Sequence, residues 1–68
     1  MKTMNQQRAA WAHTAVTAFR QVCDTDDSAE LDLIVSLCHL MHQRGRNVTA
    51  EVERALRNFS SEVACPDD

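Results

Sequence analysis

Tyrosine is absent from this chain, and glycine and proline occur once each. So few turn-forming residues argue against a turn-rich β fold and equally against a disordered chain. Aromatic side chains are limited to Trp11, Phe19 and Phe59. No apolar run approaches the roughly 20 residues that cross a bilayer. The longest apolar stretch, Leu31 to Met41, is interrupted by Asp32, Ser36 and His39, so no membrane partner is expected. The opening MKTMNQQRAAWA holds no apolar segment of secretory-signal length, and a cytoplasmic protein is expected. The cysteines, Cys23, Cys38 and Cys65, are odd in number and cannot all pair within one chain; in that compartment they are expected to stay reduced. The sequons at Asn47-Val48-Thr49 and Asn58-Phe59-Ser60 then carry no glycan.

Basic charge is also scarce. Lys and Arg number 7 against 10 Asp and Glu, a net charge of −3. That is the opposite of a nucleic-acid footprint. The acids are gathered rather than spread. Residues 1–22 hold Lys2, Arg8 and Arg20 without an acid, whereas 24–32 hold Asp24, Asp26, Asp27, Glu30 and Asp32 without a base. Such a run is ordinarily a solvated loop with helix-start charges. Read functionally, Asp24, Asp26, Asp27 and Glu30 form an acidic lip for a basic partner.

What remains is helical in period. A chain of 68 residues is one domain, and one this short buries only about 60% of its unfolded surface. Its apolar fraction of 44% is ordinary. The first helix is predicted at about 4–22, opened by a capping box of Thr3 and Gln6. Met4, Trp11, Ala15, Ala18, Phe19 and Val22 recur on one face, with Arg8 among them. Arg8 is expected to snorkel outward along its stem, or to meet an acid across an interface. The second helix is predicted at about 28–44, with Asp27 as N-cap, Glu30 three residues on, and Gly45 as the left-handed stop. Its apolar residues cover roughly 220° of the circumference, more than one neighbour hides. The third helix is predicted at about 48–63, capped by Asn47 or Thr49. It carries a narrow stripe of Val48, Val52, Ala55, Leu56, Phe59 and Val63, read as a single buried face. Glu53 and Arg57 stand in the favourable i,i+4 order. The expected fold is all-α, a three-helix subunit spanning 1–68 with ends fraying at about 1–3 and 65–68. The surplus apolar arc of the second helix makes a homodimer the expected assembly, with Leu33, Leu37, Leu40 and Met41 at its interface. The alternative is a closed monomeric bundle with Leu33 and Leu40 at its edge.

Chemistry is sparse. Cys38, His39 and His42 are the one cluster with metal-ligand character, but His39 falls on the polar strip and His42 toward the apolar side. No CxxC or HExxH spacing supplies the convergent set that zinc needs. Cys38 and His39 are adjacent, so a helix points them about 100° apart, unsuited to a nucleophile and its base. No glycine-rich phosphate loop is present. No enzyme, metal or cofactor is therefore expected. DNA binding is the alternative from another class: the second helix, the turn Gly45-Arg46-Asn47 and the third helix would mimic a helix-turn-helix, with Arg44, Arg46, Arg54 and Arg57 as contacts. Glu51 and Glu53 at the start of that third helix repel phosphate. Protein binding leads, with Trp11 and Phe19 as candidate aromatic anchors for an external partner.

Asp32-Leu33-Ile34, Leu37, His39, Gly45, Phe59 and Glu62 match a pattern D-L-(I/L)-x-D-L-x-H-x-A-x-x-x-G-x-D-F followed by a helix ending near H-(F/Y)-x-x-E. In this the stretch Asp32 to Glu62 resembles small helical proteins encoded by bacterial phages, prophages and plasmids. Ser36, Met41, Asn47, Val48 and Asn58 depart from the pattern. The resemblance implies a mobile-element origin and no known activity. The corresponding expectation is an accessory protein that binds and inhibits a host factor or defence component.

Overall fold

The computed structural model describes residues 3–24 and 28–65. Three helices follow one another: α1 (Met4–Val22), α2 (Ala29–Gln43) and α3 (Val48–Ala64). No strand occurs among the described residues. The all-α, three-helix reading holds, and the bounds agree with expectation to within the residue or two over which helix ends vary.

Local chemistry accounts for the ends. Thr3 Oγ1 accepts from the Gln6 N–H at 3.1 Å, and Gln6 Oε1 accepts from the Thr3 N–H at 3.0 Å. This closed capping box holds two donors that a bare helix start leaves free. Thr3 and Cys65, at the edges expected to fray, are cap residues; Met1, Lys2 and residues 66–68 lie outside the described residues. At α3 it is Asn47, not Thr49, that caps, accepting from the Ala50 N–H at 3.0 Å. At α2 the expected cap is displaced by one residue: Ser28 holds the N-cap position, and its carbonyl accepts from the Asp32 N–H at 2.8 Å. Asp27 lies outside the described residues. Glu30 and Asp32 in the first turn still favour the positive helix end. Gly45 stops α2 at φ +72°. Its N–H donates to the His42 carbonyl, and the Arg46 N–H donates to the Met41 carbonyl, the double closure of a Schellman motif.

The tertiary contacts are few. α1 packs on α2 more extensively than α2 packs on α3. The start of α1 also reaches the end of α3. Asn5 Nδ2 donates to the Glu62 carbonyl at 2.9 Å, one of the carbonyls that a helix leaves without an internal partner. No basic residue lies in the last turn of α3. Arg8 supplies that charge from α1: its Nε lies 3.7 Å from Glu62 Oε2 while an Nη donates to Asn5 Oδ1 at 2.8 Å. Arg8 therefore meets an acid across a helix–helix contact of its own subunit.

The face that α1 turns inward carries the half-buried Asn5, Arg8, Val16, Phe19 and Cys23. It is rotated by about 80° from the stripe of Met4, Trp11, Ala15, Ala18 and Val22, counting 100° per residue. Those stripe residues are exposed, Val22 to 84%. The polar bridges of Asn5 and Arg8 set this rotation, which apolar periodicity alone does not register. The α3 stripe is likewise not a buried face: Leu56 is 59% exposed and Phe59 62%. Glu53 and Arg57 do not come within ion-pair distance, and both are exposed. Among the described residues only Ala29 is fully buried.

The dimensions agree with this openness. The Cα radius of gyration is 13.7 Å, against about 11 Å for a compact domain of this length. The accessible surface is 5671 Å², whereas a compact 7.7 kDa monomer exposes about 4,300 Å².

Two substitutions test the local account. A Cβ at Gly45 meets nothing within 4 Å, so Gly45→Ala is expected to cost only the left-handed backbone penalty, about 1–2 kcal/mol. Asn5→Ala is expected to cost about 1 kcal/mol through the lost cap on α3. Urea unfolding at one fixed protein concentration measures both; a neutral Asn5→Ala would show that the α1–α3 bridge adds no stability.

Candidate functional site

Where α2 and α3 diverge from their Schellman turn, they leave an open groove of about 490 Å³. Ile34, Leu37, Cys38 and Met41 come from α2; Val52, Ala55, Leu56 and Phe59 come from α3. Spacing of three and four residues along each helix sets these side chains in facing rows. Glu51 is the one charged residue of the lining. Its carboxylate accepts from Arg46 Nε at 2.7 Å, so the charge is tied back to the turn at the rim. Phe59 also borders a smaller depression between α1 and α3, where Ala9 and Val63 meet Asn5 and the Arg8–Glu62 ion pair.

This groove brings together two of the four residues expected at an interface. Leu37, 46% exposed, and the half-buried Met41 line it. Leu33 and Leu40 do not: Leu33 is half-buried and Leu40 42% exposed outside the groove. The two aromatic candidates differ in exposure: Trp11 is 59% exposed, while Phe19 is half-buried on the inward face of α1. Leu56 and Phe59 also line the groove, and they were not among the residues expected at an interface. Their stripe is the sharpest amphipathic signal in the chain, and sequence reasoning assigned it to the subunit's own core.

Two residues of the acidic lip are described. Asp24 and Glu30 are exposed, and Asp26 and Asp27 lie outside the described residues. Glu30 shares a shallow depression with His13 and Arg20, so it does not stand in a purely acidic surface. The arginines of the DNA reading are exposed, as expected of Arg44, Arg46, Arg54 and Arg57. Arg46, Arg54 and Asn58 border a depression that also contains Glu51, which occupies the Arg46 head. Cys38 is half-buried in the apolar groove, while His39 and His42 are exposed. Among the described residues no three of His, Cys, Asp and Glu gather as a metal site. No helix of the described residues is long and apolar enough to cross a membrane.

No protein-family model, curated protein or solved structure matches this chain.

The groove and the arginine surface are separable by substitution. Arg54→Ala with Arg57→Ala removes two exposed side chains and is expected to leave the urea midpoint within about 0.5 kcal/mol per site. Labelled-duplex anisotropy at rising salt completes the test. Tight binding lost in that double variant, with a steep salt slope, would move the site from the groove to the arginines.

Proposed function

We propose that this chain is a protein-binding module without chemistry of its own, which receives an apolar helical segment along the α2/α3 groove. The observation that carries the reading is the near absence of a closed core. Leu37, Leu56 and Phe59 stand open to solvent on adjoining helix faces, in an arrangement that matches helix-in-groove recognition. An apolar surface of this continuity is costly to leave wet and ordinarily marks an interaction site. An accessory protein of a mobile element that binds and blocks a host factor is a consistent setting, since blocking needs a complementary surface and no reacting group.

The site is tested with a photoreactive phenylalanine analogue in place of Phe59, irradiated in cells that express the full chain. The same analogue in place of Glu53, on the polar side of α3, is the control. A protein adduct is expected from the Phe59 position and none from the Glu53 position. Absence of any adduct at Phe59 would overturn the module reading.

A further inference from the structure

The identity of the occupant rests on that reading and goes one step beyond it. We infer that the groove is filled by a second copy of this chain, related by a two-fold axis. Leu56 and Phe59 of each copy then seat against Ile34 and Leu37 of the other. Area is the first argument. The chain exposes 5671 Å², roughly 1,300 Å² more than a compact monomer of its mass. A standard interface covers about 800 Å² per partner, and permanent homodimers cover more. A permanent homodimer, at about 1,000–2,500 Å² per partner, covers an excess of this size.

Shape is the second argument. A two-fold interface requires one surface patch to complement itself. The same face carries the hollow between α2 and α3 and a ridge, Leu56 and Phe59, exposed to 59% and 62%. Charge is the third. The face adds little like-charge repulsion between two copies. Glu51 is the groove's one charged residue, and Arg46 already holds it at 2.7 Å.

Light scattering of the purified full chain, in reducing buffer and across a dilution series, is the first measurement. A mass near twice 7.7 kDa is expected at tens of micromolar, falling on dilution. Phe59→Asp is expected to weaken association at least thirtyfold, as loss of an interface anchor does; Glu53→Lys is expected to leave it unchanged. Isotope-filtered NMR on mixed labelled and unlabelled wild-type chains needs no variant to fold. It should show contacts from the Phe59 ring of one copy to Ile34 or Leu37 methyls of the other. A monomer at the highest concentration, or a dimer without those contacts, would overturn the second copy as occupant. An in-cell adduct from Phe59 at a mass other than two chains would overturn it too, while leaving the module reading in place.

Discussion

Three helices joined by short turns bring too few apolar atoms together to close a core, and the other features of this molecule answer that constraint. Burial of apolar area supplies most of the stability of a folded chain, yet only Ala29 is fully withdrawn from water among the described residues. The subunit is held in outline by its ends: a capping box at α1, an Asn cap at α3, and a Schellman closure behind α2. Each such feature contributes about 1 kcal/mol. They define where helices start and stop, but they do not replace a core.

The α1–α3 contact shows how polar groups steer what apolar groups then do. Asn5 caps a carbonyl at the end of α3, and Arg8 offsets the carboxylate of Glu62 at a helix terminus that disfavours negative charge. Satisfying both turns the Asn5–Arg8–Val16–Phe19 face inward. The Trp11 stripe is left outside as a consequence. Apolar periodicity alone would have turned the helix by about a quarter of its circumference to bring that stripe inward. Here the directional demands of a donor and a guanidinium prevail over a stripe diluted by Ala15 and Ala18, which offer little area to bury.

That contest explains which parts were legible beforehand. Helix number and bounds were readable because caps and stops are local: Thr3 with Gln6, Asn47, and Gly45 act on neighbours three or four residues away. The breadth of the apolar arc on α2 correctly signalled that a single neighbour does not cover it. The α3 stripe was misplaced for a physical reason. A stripe at helical spacing states that a face seeks cover, and it does not state whether the cover belongs to the same chain. Leu56 and Phe59 therefore looked like core, and their exposure is visible only once the distance between α2 and α3 is known.

The physical character of the groove bears on what kind of molecule suits it. Its lining is aliphatic and aromatic, with no unpaired charge to orient a small polar ligand. A nucleic acid would need the arginine side of the turn, where Glu51 competes for Arg46 and net charge opposes approach. A helix suits such a lining in kind, since side chains three and four residues apart on one face repeat the spacing of the groove's facing rows. The proposed partner would complete a bundle that one copy leaves open, so that folding and recognition would draw on the same buried area.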